Sequence, residues 1–272
     1  MTTRKPYDAG SYRWDPAQYL RFAEQRDRPF RELVERIPVA APTRVVDLGC
    51  GPGLLTRSLA ERWPQAHITG VDRSADMIAA SHATVGSDRV DFVHADLRYW
   101  EPDEPVDVVL GNAVLQWVPN HLEHIATLAG WIRPGGALAF QVPDNFSEPS
   151  HTVIRALRLA PRWRDRLGDA ADRSAGVERP ETYLTRLAGL GLTPDVWQTE
   201  YLHLLPGDDA VLEWVKGTAL RPVLDALADD PPAAAEFLEQ CGAALREQYP
   251  RTEHGTVFPF RRTFLIGARP PE

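Results

Sequence analysis

The stretch VVDLGCGPG, residues 45–53, constrains this chain more than any other. A short run of β-branched and apolar residues meets three glycines at alternate positions, Gly49, Gly51 and Gly53, and LLTRSLAERWP at 54–64 follows with helical spacing, stopped by Pro64. Glycine lets a backbone turn sharply and approach a ligand closely, and the helix start adds oriented N–H donors. Such a strand–turn–helix unit needs a parallel partner strand, which commits the region to a wound α/β sheet.

The rhythm continues for about a hundred residues. HITGVD (67–72), VDFVHAD (90–96), VDVVLGN (106–112) and ALAFQVP (137–143) read as strands. Between them, SADMIAASHATVG (74–86) reads as a helix opened by a capping serine, and NHLEHIATLAGWIRPGG (120–136) as an amphipathic helix closed by a Pro-Gly-Gly turn. Beyond Pro143 the pattern changes. Residues 150–190 and 208–249 read as helices, while DVWQTEYLHLL (195–205) and TVFPFRRTFLIGA (256–268) alternate like two late strands forming an antiparallel hairpin at the sheet edge.

The acids give the glycine turn its meaning. Asp72 ends the strand after the turn, about 20 residues on, where a carboxylate meets ribose hydroxyls. Together these features point to a nucleoside-containing cofactor. The spacing is G-x-G-x-G, not the G-x-G-x-x-G of dinucleotide sites, which disfavours a nicotinamide dehydrogenase. Asp47 precedes the first glycine, placed for a ligand ammonium, and Asp96 closes the third strand, placed to accept from an adenine amino group. An ammonium-bearing nucleoside without a pyrophosphate, S-adenosylmethionine, fits acids around the loop better than NAD does.

On these residues the chain resembles the class I S-adenosylmethionine-dependent methyltransferases. The resemblance implies a Rossmann-like α/β fold: a mostly parallel seven-stranded sheet with an antiparallel edge hairpin and a helical cap over its carboxyl edge. It also implies roles. Asp47, Gly49, Gly51 and Gly53 hold the methionine end, Asp72 the ribose, Met77 packs on adenine, Asp96 with Leu97 reads its edge, and Asn112 approaches the methionine part. Met77 fits equally well as core filling.

Peripheral stretches resemble a narrower family. WDPAQYLRFAEQRDRPFRELV (14–34), NAVLQWVPNH (112–121), QVPDNFSEPSH (141–151), LRPVLDAL (220–227), EQYP (247–250) and FRRTF (260–264) are similar to the trans-aconitate 2-methyltransferase family. The implied substrate is a small polycarboxylate and the implied reaction monomethyl esterification, or else methylation of another small carboxylate, phenol or amine. A carboxylate is already ionised at neutral pH, so no general base is expected; cations to hold the remaining carboxylates are. Arg221, Arg262 and Tyr249 are the candidates for substrate orientation, with Tyr19 and Trp117 beside them, and Trp14 is assigned to the cofactor. Trp14 and Trp117 also fit as packing, and Tyr19, three residues from Phe22, as a helix face. His121 is expected to cap the helix after Trp117. In FPFRRTFLI (258–266) alternation puts Phe260, Arg262, Phe264 and Ile266 on one face and Arg261, Thr263 and Leu265 on the other, with Arg261 outward.

The expected organisation is an N-terminal lid (1–35), a cofactor-binding core (36–145), and a helical substrate cap with the last strands (146–272), all in one domain. A net charge of −8 disfavours nucleic-acid binding, as does NAVLQW where a nucleic-acid amino-methyltransferase carries N-P-P-Y. Two cysteines make neither a zinc site nor a disulfide framework, and no metal is expected. The polar N-terminal stretch and the lack of long apolar runs suggest a cytoplasmic monomer away from membranes.

Overall fold

The computed structural model describes residues 23–84, 88–167 and 177–271. The chain divides into two compact units: residues 23–143, 177–199 and 262–271 form one, and residues 144–167 and 200–261 the other. The elements are α1 (Ala23–Arg36), β1 (Arg44–Leu48), α2 (Leu54–Arg62), β2 (His67–Asp72), α3 (Ala75–Thr84), β3 (Val90–His94), β4 (Val106–Asn112), a 3₁₀ turn (Leu115–Trp117), α4 (His121–Trp131), β5 (Ile132–Pro143), α5 (Pro149–Leu159), α6 (Arg164–Leu167), α7 (Pro180–Gly189), β6 (Thr193–Leu205), α8 (Ala210–Lys216), α9 (Arg221–Ala226), α10 (Pro231–Gln248), β7 (Arg251–Thr252) and β8 (Gly255–Ala268).

The first unit holds β1 to β5, the start of β6 and the end of β8. Strand order is β3-β2-β1-β4-β5-β8-β6, with the two-residue β7 pairing beside β8. β1 to β5 pair in parallel, and β8 joins antiparallel to β5, Ala137 opposite Ala268 through Pro143 opposite Arg262. β8 therefore lies between β5 and the edge strand β6, and the two late strands sit side by side at that edge as expected. The sheet order reverses between β1 and β4, and the crevice at the carboxyl ends of those strands is where such sheets bind ligands. β1 and β4 are apolar because both of their faces are covered: Val46, Leu48, Val109 and Leu110 are all buried. Val46, Leu48 and Val109 make one core with Leu138, Phe140, Val142, Ile125, Leu128, Tyr183 and Leu187.

One local departure from the sequence reading has a clear cause. The helix expected through 136 ends at Trp131, and the sheet pairing begins at Ile132. The register then slips, Ile132 opposite Val106 but Ala137 opposite Val108, so the Pro-Gly-Gly turn is absorbed as a bulge within the strand. At the sheet edge, the Arg36 guanidinium lies 4.0 Å over the Trp197 ring and pairs with Asp195 at 2.9 Å, while Trp197 stacks on Phe264 at 4.7 Å. Those contacts fasten α1 to β6.

The second unit is helical and aromatic. Trp163 packs edge-on to Phe237 at 5.2 Å and donates its indole N–H to Gln240 at 2.9 Å. Trp214 packs against Phe258 and Phe260, with centroids 5.5 and 5.4 Å away. α10 starts on a Pro-Pro pair after Asp230, whose carboxylate accepts from Ala233 N–H at 3.1 Å. Among the described residues no helix is long and apolar enough to cross a membrane.

Candidate active site

A cleft opens at the carboxyl ends of β1, β2 and β4, where sheets of this kind bind their ligands. Of the residues expected at a cofactor site, Gly49, Gly51, Asp72, Met77, Asp96, Leu97 and Asn112 line it, and Trp117 lines it beside them. The topology explains the convergence: β1, β2, β3 and β4 are parallel, so the residues at or just past their carboxyl ends meet at one rim.

The glycine turn is held from behind. Gly49 N–H donates to the Val71 carbonyl at 2.7 Å, and the φ of Gly49 is +72°. A Cβ there would meet Val114 Cγ2 at 2.6 Å. Gly51, at φ +55°, has nothing within 4 Å of a built Cβ, so it leaves the cleft wall bare. Gly53 packs on the inner side, where a Cβ would meet Phe92 and Ser81.

The carboxylates differ in environment. Asp72 accepts from Gly51 N–H at 3.0 Å and Ser74 N–H at 2.8 Å. Burial pushes its carboxyl above the usual range, against those two donors. A carboxylate offers about four lone-pair sites, so Asp72 keeps capacity for ligand hydroxyls. Burial likewise pushes Asp96 up, but its hydrogen bonds and ion pair with Arg98 outweigh this and hold it below the usual range. Arg98 Nε donates to both Asp96 oxygens at 3.0 Å. Asp47 sits back from the cleft wall, 3% exposed, accepting from Thr56 Oγ1 at 2.7 Å. Burial lifts its pKa to about 7 despite the Thr56 hydrogen bond, with the Asp72 charge adding to the rise. Burial, with the same two acids, also pushes the Cys50 thiol up.

Arg221, Tyr249 and Arg262 are not among the residues that line this cleft. Arg262 is 3% exposed and donates Nη1 to Gln141 Oε1 at 2.8 Å. Arg221, in the helical unit, pairs with Asp225 at 3.0 Å across one turn of α9. Tyr249 Oη accepts from Ser150 N–H at 3.1 Å, and burial pushes the phenol up, so it stays protonated. Arg261 faces partly outward, with Asp144 and Glu148 each 3.4 Å away. Trp14 and Tyr19, and with them most of the expected lid, lie outside the described residues. His121 does not cap its helix: Asn120 occupies that position at φ +53°, and the His121 ring is buried 2.8 Å from Tyr183 Oη. Burial lowers its pKa. Among the described residues no group of three His, Cys, Asp or Glu is placed to hold a metal ion.

Four contributors escaped sequence reasoning. Arg73 and Arg98 line the cleft, and Arg98 was hidden in plain view two residues after Asp96. Thr56 anchors Asp47 from α2. Gln141 is the polar residue in the otherwise apolar run ALAFQVP (137–143), 0% exposed, and it donates to Asn112 Oδ1 at 2.7 Å; that oddity was the available signal.

Comparison with known proteins agrees with this geometry. A family model described as a methyltransferase domain matches residues 22–187. A trans-aconitate 2-methyltransferase of Streptomyces avermitilis is 52% identical over 93% of this chain and 96% of its own length. One from Rhodococcus jostii is 46% identical over 93% of this chain and 98% of its own. Among solved structures, the YcgJ protein of Bacillus subtilis aligns with a TM-score of 0.57 at 13% identity, covering 90% of this chain and 99% of that one. A Haemonchus contortus phosphoethanolamine N-methyltransferase in complex with S-adenosyl-L-methionine aligns at 0.54 and 16% identity, covering 89% of this chain and 52% of that one. At those identities the structures speak for the fold alone, whereas the sequence relatives span almost the whole chain: it is a methyltransferase and belongs to the trans-aconitate 2-methyltransferase family.

Proposed function

We propose that the chain uses S-adenosylmethionine to methylate one carboxylate of trans-aconitate, or of a closely related small tricarboxylate. The observation that carries the cofactor reading is the cleft itself. It joins a bare glycine turn, the Asp72 carboxylate with acceptor sites to spare, and the Asp96 carboxylate at one rim. Those donor and acceptor types suit a ribose, an adenine edge and a zwitterionic amino-acid tail. The substrate reading rests on the names of relatives that match nearly end to end.

The bound cofactor supplies an electrophilic methyl group on a sulfonium. A substrate carboxylate oxygen would be the acceptor of that methyl group. No proton moves, because the carboxylate is already ionised at neutral pH. The protein's share is therefore positioning and exclusion of water. Asp72 is proposed to accept from the ribose and Asp96 from the adenine amino group, while Asp47, set back from the cleft wall, adds negative charge behind the ammonium. Met77, Leu97 and Trp117 supply the apolar wall. Arg221 and Tyr249 are proposed to hold the carboxylates that do not react, the guanidinium as a planar fork and the phenol as a neutral donor.

A methyl-transfer assay against a panel of di- and tricarboxylates tests this reading. The expected result is a kcat/KM for trans-aconitate at least tenfold above those of the other acids. Equal or absent turnover of every tricarboxylate at millimolar concentration would overturn the substrate assignment.

A further inference from the structure

Three polar residues from three neighbouring strands share one sheet face. Asn112 on β4 is opposite Gln141 on β5. Gln141 is opposite Phe264 on β8, and Arg262 is two residues along that strand, so alternation puts it on the same face, diagonal to Gln141. Arg262 Nη1 donates to Gln141 Oε1 at 2.8 Å, and Gln141 Nε2 donates to Asn112 Oδ1 at 2.7 Å. Only Asn112 reaches the cleft; Gln141 is 0% exposed and Arg262 3%.

The polarity of this chain is forced. A guanidinium has donors and no acceptor, so the oxygen of Gln141 must face Arg262. The NH2 of Gln141 then faces Asn112, whose oxygen must turn toward it. Asn112 is left with its own NH2 to offer a ligand. The backbone reinforces the arrangement, since Ala113 N–H donates to the Gln141 carbonyl at 2.8 Å, with Ala113 held at φ +56°.

We propose that Arg262 is a positioning residue that acts through Gln141 to fix the Asn112 amide as a hydrogen-bond donor to a ligand carboxylate in the cleft. The inference rests on the methyltransferase reading above and changes the role of Arg262 within it: the guanidinium sets the direction of a relay and does not itself clamp substrate. The carboxylate is either that of the cofactor's amino-acid tail or one on the tricarboxylate.

Gln141→Glu tests it. Glutamate still accepts from Arg262 but, ionised, has nothing to donate, so the Asn112 amide must reverse and present its oxygen to the cleft. Calorimetry with S-adenosylhomocysteine and with its decarboxylated counterpart, beside the KM for trans-aconitate, separates the two carboxylates. If the donor serves the cofactor, the Kd of S-adenosylhomocysteine rises roughly ten- to a hundredfold and that of the decarboxylated compound does not. If it serves the substrate, the KM for trans-aconitate rises by that factor with kcat little changed and both Kd values intact. Either result supports the proposal. A folded Gln141→Glu protein with all three constants within twofold of the parent overturns it, and a parent protein that binds no S-adenosylhomocysteine overturns the cofactor reading as well. Should Gln141→Glu fail to fold, Arg262→Lys and Arg262→Gln decide. Lysine only donates and keeps the polarity, whereas glutamine lets Gln141 turn over, so only the second should lose about tenfold. Equal losses in both overturn the relay.

Discussion

Asp47→Asn should make the ligand-free protein more stable at pH 8 and less stable at pH 4. Asp47 is 3% exposed, and its pKa is lifted from 3.8 to about 7. The folded state therefore binds a proton that the unfolded chain has released between about pH 4 and 7, and stability falls as pH rises through that window. A rise of about three pH units corresponds to about 4 kcal/mol lost by pH 8. Asparagine carries no charge, and its oxygen still accepts from Thr56 Oγ1. It also brings an NH2 needing an acceptor, at a cost of about 1–3 kcal/mol. The net gain at pH 8 is about 1–3 kcal/mol, or about 2–10 °C in Tm; at pH 4 only the cost remains. Tm of both proteins across pH 4–8, taken as a difference so that other titrating groups cancel, is the assay. A difference independent of pH would refute the buried-charge argument. The same substitution should weaken S-adenosylhomocysteine binding, as expected of a charge retained for a ligand ammonium at the expense of stability.

The glycines should separate by what they touch. Gly49→Ala, with its Cβ 2.6 Å from Val114 Cγ2, should cost about 1–3 kcal/mol in denaturation. Gly51→Ala, facing open space, should lose mainly cofactor affinity by calorimetry, with the smaller cost of about 1–2 kcal/mol for a left-handed alanine. Arg98→Ala removes the partner that holds the Asp96 carboxyl below the usual range, so the acid limb of the cofactor KM should move to higher pH than in the parent. Arg221→Ala and Tyr249→Phe should raise the KM for trans-aconitate roughly tenfold and leave S-adenosylhomocysteine affinity within twofold; unchanged KM in both would remove them from the substrate site.

The cleft at the strand ends was readable because its signals are local. The glycine turn, the acids at strand ends and the apolar strands lie within short windows, and the parallel sheet brings Gly49, Asp72, Asp96 and Asn112 together without further information. Arg98 and Thr56 are close in sequence to the acids they hold, but the Gln141 contact with Arg262 depends on pairing across a long separation. Arg262 reaches Gln141 from 121 residues away, and its place beside β5 follows from the last strand inserting between β5 and β6. Alternation correctly put Arg262 on a face with Phe264, yet it had no means to say that the opposite strand carried a glutamine. The Pro-Gly-Gly segment misled in a smaller way, because a turn signal and a wide bulge look alike until the register is seen.

The most direct measurement is a single-turnover reaction of purified protein with methyl-labelled S-adenosylmethionine and trans-aconitate, followed by mass spectrometry. The account predicts one labelled methyl on one trans-aconitate carboxylate for each S-adenosylhomocysteine formed. Labelled cofactor consumed with no ester on trans-aconitate, or no consumption at all, would contradict it.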